Sequence, residues 1–235
     1  FIIKSGRLCW VSISTGFGAG SNLALKQVKT KYALQIDLDT RFDNKSIKKL
    51  INHANIIKDF AIMGPFVKNF KYKKEQFIKK KICKNTNQMN FIDGCCLLFN
   101  MKQMKKVGFF DKNIFLYFEE TDLIKRCIDK SKKVLMIDNI KIYHEGRSSS
   151  ISKLNTIIET NRNWHYMWSK FYYFNKHYNY LFALRKIAPN FLNSFKKIFF
   201  SILKLDKNNL VIGLIELYGI FSAVLFLNSF YRPKM

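Results

Sequence analysis

Apolar residues switch repeatedly between strand and helix spacing over the first 150 positions. "YALQI" (32–36) is an apolar run of strand length, and "NKSIKKLINHANIIKD" (44–59) follows with Ile47, Leu50, Ile51, Ala54 and Ile57 at helical spacing. "AIMGPFV" (61–67) predicts another strand. "MNFIDGCCLLFN" (89–100) predicts a third, leading into a short helix near "MKQMKKVG". "YFEETDLIKRCIDKS" (117–131) predicts a helix, and "KVLMID" and "IKIYH" (133–144) predict two short strands. Strands alternating with helices imply an α/β fold whose largely parallel sheet is covered by helices.

From Ser150 the texture changes. The stretch 151–186 carries apolar residues at Leu154, Ile157, Ile158, Trp164, Trp168, Phe171 and Tyr172 without a strong breaker, and reads as one long helix. Its second half is dense in aromatics, with Lys170, Lys176, Arg185 and Lys186 among them. "LVIGLIELYGIFSAVLFL" (210–227) has a single charge, Glu216, and sits at the lower edge of membrane-spanning length. A carboxylate at a bilayer centre costs about 2.5 kcal/mol or more, which argues against a span. The expected organisation is an α/β domain over 1–150 and a helical, aromatic and basic tail over 151–235.

Composition narrows the class. With 48% hydrophobic and 16% aromatic residues in 235, the chain can bury a sizeable core, and disorder is not expected. The 41 Lys+Arg against 16 Asp+Glu leave a net charge of +25, which suggests an anionic partner: nucleic acid, an anionic membrane surface or a phosphorylated substrate. The plainer reading is a bias toward Lys, Asn, Ile and Phe with solvated lysines. Cys9, Cys83, Cys95, Cys96 and Cys127 form no CxxC pair, so a disulfide framework or zinc knuckle is not expected and a reducing compartment is. Adjacent Cys95 and Cys96 read as packing residues on opposite faces of a strand. The chain starts at Phe1 with no charged segment ahead of an apolar one, and reads as a fragment without a signal peptide.

Against this basic background the acids stand out. Asp37 and Asp39, in "QIDLDT", close the first apolar strand; residues i and i+2 share a strand face, so both carboxylates can converge where open α/β sheets bind ligands. Hard oxygen ligands of this kind suit Mg²⁺ or Mn²⁺ and, through them, phosphate. The alternative is a solvated strand end or helix cap, although Asp43 or Asn44 can supply that cap. Glu119, Glu120 and Asp122 fall in the first turn of a helix, where acids complement the dipole. Asp122 and Arg126, spaced i,i+4, read as a scaffold ion pair. Glu119 and Glu120 follow the aromatic run "FFDKNIFLYF", and a desolvated carboxylate there can act as a base near neutral pH. His144 ends a strand before "EGRSSS" and is a ligand candidate on the same sheet edge. "GFGAGSN", with Gly16, Gly18 and Gly20, matches neither a dinucleotide fingerprint nor a P-loop. It reads as a loop into a helix capped by Ser21 or Asn22, where bare amides can receive an anion or simply make a turn.

In order, "GFGAGSN", "ALQIDLDT", "FIDGCCLLFN", "VGFFDKNIFLYFEETDLIKRC" and "YHEGRSSS" resemble the family 2 glycosyltransferases of GT-A fold, closest to their rhamnosyltransferase-like branch. The resemblance covers roughly residues 10 to 185, including the helical "NRNWHYMWSKFYYFNKHY". It implies a GT-A-like, mixed and mostly parallel sheet with flanking helices. It also implies inverting transfer of a sugar, rhamnose by branch alone, from a nucleotide sugar to a glycan or lipid-linked acceptor in cell-surface polysaccharide synthesis. Asp37 and Asp39 match the DxD that holds Mn²⁺ or Mg²⁺ on the donor diphosphate, and His144 matches a position near that metal. Gly16, Gly18, Gly20, Asn22, Asp37, Asp93 and Gly94 match donor-binding positions. Glu119–Glu120 matches the acidic pair whose second member deprotonates the acceptor, with Glu120 where Asp is usual and Glu119 as the fallback. One extra methylene moves the carboxylate by about 1.5 Å.

The resemblance also implies a preceding nucleotide-binding βαβ unit of about 60–80 residues, by the size of such units. Only a short segment precedes "GFGAGSN", so the chain reads as truncated, without the nucleobase pocket that full activity needs. The aromatic and basic tail suits a peripheral position on the inner face of the cell membrane, with lysines toward anionic lipid. Two other readings remain: a non-catalytic, membrane-associated relic of such an enzyme, and a metal-dependent nucleic-acid enzyme. No basic cluster flanks the acids and no aromatic sheet platform is evident, so nucleic acid is not the expected partner.

Overall fold

β-Strands and helices fall almost where the apolar periods change. In this computed structural model, which describes residues 2–4, 7–9, 16–43, 45–145 and 155–232, the order is β1 (Ile2–Lys4), β2 (Arg7–Cys9), α1 (Phe17–Leu25), β3 (Tyr32–Ile36), β4 (Thr40–Arg41), α2 (Ser46–Ile57), β5 (Ile62–Val67), β6 (Phe77–Cys83), β7 (Thr86–Met89), β8 (Cys96–Asn100), α3 (Met101–Val107), α4 (Glu119–Asp129), β9 (Val134–His144), α5 (Asn155–His177), α6 (Tyr180–Leu203) and α7 (Lys207–Val224). The chain divides into two units. One holds the sheet and comprises 19–111 and 120–145 with the two N-terminal strands; the other comprises 16–18, 112–119 and the helices from 155 onward.

The sheet runs β2-β1-β3-β8-β5-β9-β7-β6, with β4 paired to β9 off that path. It is mixed, as expected, but the expected parallel majority is corrected. Among the described pairings only β5–β9 is parallel; β1–β2, β1–β3, β3–β8, β5–β8, β7–β9, β6–β7 and β4–β9 are antiparallel. The reason is that β8 inserts between β3 and β5 and opposes both, while a tight connection joins β6 to β7.

Period-2 alternation splits the core into two layers. Ala33, Ile62, Leu97, Phe99, Val134 and Met136 face a cluster completed by Leu25 of α1, Met104 of α3 and Leu123 and Cys127 of α4. Their neighbours Leu34, Met63, Leu98, Leu135 and Ile137 face the other way, onto Leu50 and Ala54 of α2. Helices thus cover both faces. Asp122 is fully buried, and its Oδ2 accepts from Arg126 Nε at 2.8 Å while Arg126 Nη2 donates to Phe109 O at 2.6 Å. The pair ties α4 to the end of α3, consistent with the scaffold reading.

Three sequence expectations change. Residues 89–100 are not one strand: β7 ends at Met89, a turn carries Asp93 and Gly94, and β8 starts at Cys96. Cys95 lies in that turn, and it and Cys96 both join the α2-side cluster rather than opposite faces. The two strands expected over 133–144 are one, β9, whose register against β5 slips between Pro65 and Phe66. Asp138 lies in that bulge, and its Oδ1 accepts from Asn87 Nδ2 at 2.6 Å. A bulge bends the strand, and the last residues of β9 are those that pair with β4.

In the helical unit, the long helix expected over 151–186 breaks after His177. Asn179 starts α6, its side-chain oxygen accepting from Phe182 N at 2.8 Å, the favoured role of Asn at an N-cap. Trp164, Trp168, Phe171 and Tyr173 are buried, the first three among Ala183, Ile187, Ile220 and Ala223, so these rings are core and not interface. Glycine sets how closely α7 approaches its neighbours: a Cβ on Gly213 would lie 2.7 Å from Ile198 of α6, and one on Gly219 would lie 2.6 Å from Trp164 O of α5. Glu216, the lone charge of the apolar 210–227 stretch, is buried against Ser194 and Lys197 of α6. Among the described residues no helix is long and apolar enough to cross a membrane.

Candidate active site

The site is built where β3 ends. Asp37 leaves the strand, its N–H donating to Cys95 O at 2.8 Å, and its own carbonyl accepts from Thr40 N at 3.2 Å. The chain therefore turns over 37–40, with Leu38 thrown outward, and re-enters the fold as β4. This corrects one expectation: Asp37 and Asp39 are brought together by a turn, not by the pleat of a strand.

β4 then finds the end of β9, with Thr40 opposite His144 and Arg41 opposite Tyr143. Asn69, after β5, clamps the backbone of His144: its side-chain nitrogen donates to His144 O and its oxygen accepts from His144 N at 3.1 Å. The imidazole consequently stands among three carboxylates. Its Nε2 is 3.3 Å from Asp39 Oδ1 and 4.0 Å from Asp37 Oδ2. Its Nδ1 is 3.5 Å from Oδ1 of Asp93, whose carboxylate also takes the N–H of Cys95 at 2.9 Å.

Crowding acids in a partly closed place has an electrostatic cost. Burial raises the Asp37 carboxyl to about 6; His144 opposes this, and Asp39 and Asp93 add to it. Glu120, at the start of α4, is pushed up to about 7, mainly by burial and further by Asp93 and Asp37, against the pull of its own N–H and that of Thr121. It is half-buried and lies against Gly94, where a Cβ would be 3.4 Å from Glu120 Cγ. A carboxyl poised near neutrality beside an acid cluster is the state a general base needs. Glu119 is buried, and it counts with the helical unit rather than with these groups.

A divalent cation fits the donor set. One ligand atom from each of Asp37, Asp39 and His144 lies within 4.8 Å of the others. Two carboxylate oxygens with an imidazole suit Mn²⁺, and Mg²⁺ less well. Asp93, Cys95 and His144 make a second group of that size. It fits poorly, because burial raises the Cys95 thiol far above its usual range, and Asp93 raises it further. The ligand of a metal is the thiolate.

The glycine segment differs from its expectation. α1 starts at Phe17, so Gly18 and Gly20 lie buried within the helix, and neither Ser21 nor Asn22 is its cap. Asn22 instead grips Phe110, donating to its carbonyl at 2.9 Å and accepting its N–H at 3.0 Å. Gly16 has φ +86°, and a Cβ there would be 2.7 Å from Phe115, so glycine is required for packing. The cap position of α2 is Lys45, which makes no side-chain cap hydrogen bond; Asp43 precedes it, its Oδ1 accepting from Lys45 N at 3.0 Å, and Asn44 lies outside the described residues. So do Gly146 to Ser150, the end of the "YHEGRSSS" motif.

Two features escaped sequence reasoning. Asn69 carries no motif signal, since only the fold brings it to His144. Tyr117 and Phe118, just before the acidic pair, both sit in the left-handed region at φ 64° and 66°. Such strain at bulky residues costs energy and clusters at functional sites. Within the helical unit, Ser169 Oγ donates to Leu116 O at 2.8 Å, and the Phe118 ring contacts Tyr166 and Tyr173 with centroids at 5.7 and 5.5 Å.

No family model matches the sequence, and no curated protein does either. Solved structures do. The mannosyltransferase PcManGT from Pyrobaculum calidifontis, in complex with GDP-Man and Mn²⁺, aligns over 89% of this chain at 10% identity and a TM-score of 0.52. GalNAc-T7 with UDP, GalNAc and Mn²⁺ aligns over 75% at 10% identity and 0.46, and TarS of S. aureus over 86% at 12% identity and 0.45. The chain spans 66% of the first of these, 44% of the second and 43% of the third. The first comparison carries the conclusion: the fold is GT-A-like, a mixed sheet with flanking helices.

Proposed function

We propose that this chain is the catalytic part of a metal-dependent, inverting glycosyltransferase that moves a sugar from a nucleotide sugar to a hydroxyl of a glycan or lipid-linked acceptor. The observation that carries the reading is the gathering of Asp37, Asp39 and Asp93 around His144, with Glu120 pushed up to about 7 mainly by burial and further by Asp93 and Asp37.

In this reading Asp37, Asp39 and His144 hold Mn²⁺ or Mg²⁺. The cation, when bound, supplies Lewis-acid neutralisation of the departing diphosphate. Asp93 and Gly94 line the donor side. Glu120 accepts the proton of the acceptor hydroxyl; the oxygen's electron pair forms the new bond to the anomeric carbon, and the old C–O pair leaves with the nucleoside diphosphate. A single displacement of this kind inverts the anomeric centre. Rhamnose as the sugar, membership of family 2 and a role in cell-surface polysaccharide rest on sequence resemblance alone. The acceptor's place is the inner face of an anionic membrane, where the protein sits peripherally.

Nucleotide-sugar binding and hydrolysis test this directly. With Mn²⁺, isothermal titration across GDP- and UDP-sugars should give a donor whose binding is lost with EDTA or in Asp39→Ala. Release of nucleoside diphosphate should fall on the order of 100-fold or more in Glu120→Gln while donor binding persists. Donor affinity unchanged by both EDTA and Asp39→Ala would overturn the reading, as would salt-sensitive DNA binding without diphosphate binding.

A further inference from the structure

α6 is amphipathic in an unusual sense. Its inward face is narrow and made of small or aliphatic residues, Ala183, Ile187, Ser194 and Ser201. Its outward face is not polar. Leu192, Phe195, Phe199 and Ile202 recur at helical spacing and are each between 49 and 60% exposed. From Leu192 to Leu203, itself exposed, this ridge runs about 17 Å at the helical rise. α7 extends it: Leu214, Tyr218 and Phe221 are exposed at the same spacing. Ring contacts join the two stripes, Phe195 to Phe191 at 4.8 Å and Phe191 to Phe221 at 6.0 Å between centroids. Isolated apolar residues on a surface need no explanation, but a contiguous aromatic ridge on two packed helices marks an interaction face.

The charge around the ridge says what meets it. Between Tyr180 and Lys207 the basic residues are Arg185, Lys186, Lys196, Lys197, Lys204 and Lys207, against the single acid Asp206. Lys196 and Lys204 are exposed beside the apolar stripe. The buried carboxylate of Glu216 holds Lys197 on the inner side. An apolar stripe flanked by exposed lysines, on a helix that is too polar to span, matches a helix lying in the plane of a lipid interface. A second copy of this chain would bring the same positive charge against itself, which disfavours it as the occupant.

We infer that the ridge Leu192–Phe195–Phe199–Ile202 of α6, with its flanking lysines, is the surface by which this protein inserts into an anionic lipid interface. The aromatic-rich α5, the segment whose sequence suggested this role, keeps its central rings in the core. The proposal names the contact face and stands whether or not the transferase reading does.

Vesicle flotation reads it. The protein should float with phosphatidylglycerol-containing vesicles and not with pure phosphatidylcholine, and high salt should weaken binding at least several-fold. Phe195→Ser with Phe199→Ser should reduce bound fraction about 10-fold or more while circular dichroism and melting temperature stay near wild type. Should that pair disturb folding, Lys196→Glu with Lys204→Glu changes exposed charges only and should weaken binding several-fold. Absence of wild-type binding to anionic vesicles overturns the inference. So does binding that survives both double variants in folded protein, or sedimentation showing that the phenylalanine pair abolishes a dimer while vesicles are ignored.

Discussion

Gly94 faces the side chain of Glu120: a Cβ built on the glycine would stand 3.4 Å from Cγ and 3.8 Å from Cδ of the glutamate. The extra methylene of Glu120, relative to the aspartate that the resemblance leads one to expect there, therefore lies against a residue without a side chain, with room left for a methyl group. Gly94→Ala should be tolerated, since these distances are ordinary contacts, with stability within about 0.5 kcal/mol of wild type. Gly94→Val should push the carboxylate aside and lower turnover on the order of 100-fold, the penalty of displacement by about 1 Å. Steady-state kinetics of the two variants, with donor affinity as the control, check this; equal activity in both would show that Glu120 does not need its present position.

Glu120 also makes stability depend on pH. Its carboxyl is raised from 4.5 to about 7 by burial and by Asp93 and Asp37, so between those values the folded chain holds a proton that the unfolded chain has released. The stabilising contribution is complete below the unfolded value and is lost as pH rises through about 7. Glu120→Gln should therefore melt higher than wild type at pH 8, and the difference should shrink toward pH 5. Thermal melts in metal-free buffer across that range check it. The same ionisation should make transfer by the wild type rise with pH through neutrality.

Strand and helix periods located β3 and α2 to within two residues, because half-buried elements must expose alternate or every third or fourth positions. Asp37, Asp39 and His144 were likewise visible as chemistry, and Asp93 only through the resemblance. Their manner of meeting was not. Nothing local announces that Asp37 will turn the chain back through Thr40 onto β9, or that Asn69 will hold His144. The β6–β7 hairpin was hidden because "FIKKKIC" alternates only weakly, with Lys79 and Lys81 exposed to solvent. The break at Asn179 left no mark in the apolar pattern, since helix spacing resumes within a turn. The direction of the exposed ridge was also illegible: α5 and α6 are both rich in aromatics, and only packing decides which set faces inward.

The segment before the acidic pair is held by α5. Ser169 is fully buried and gives its hydroxyl to Leu116 O, next to left-handed Tyr117 and Phe118. Ser169→Ala leaves that carbonyl without its donor and should cost about 1–3 kcal/mol. If the hydrogen bond positions the segment, turnover should fall while donor affinity stays constant, and Ser169→Thr should restore part of it. A lower melting temperature with unchanged turnover would assign Ser169 a purely structural role.

Glu216 offers a test of how the helical unit manages a buried charge. Its side chain is 6% exposed, with Oε2 accepting from Ser194 Oγ at 2.7 Å and Oε1 paired with Lys197. Removing one partner of a buried pair strands the other, so Lys197→Met should destabilise by about 3 kcal/mol or more. Ser194→Ala should cost about 1.5–3 kcal/mol, the worth of a hydrogen bond to a charged group. Glu216→Leu with Lys197→Met replaces the pair by apolar groups of similar size, and should recover most of the loss. The double variant should therefore melt above Lys197→Met alone, by calorimetry at neutral pH. If it melts lower, the carboxylate is needed for the α6–α7 contact in its own right, and the pair is more than a tolerated buried charge.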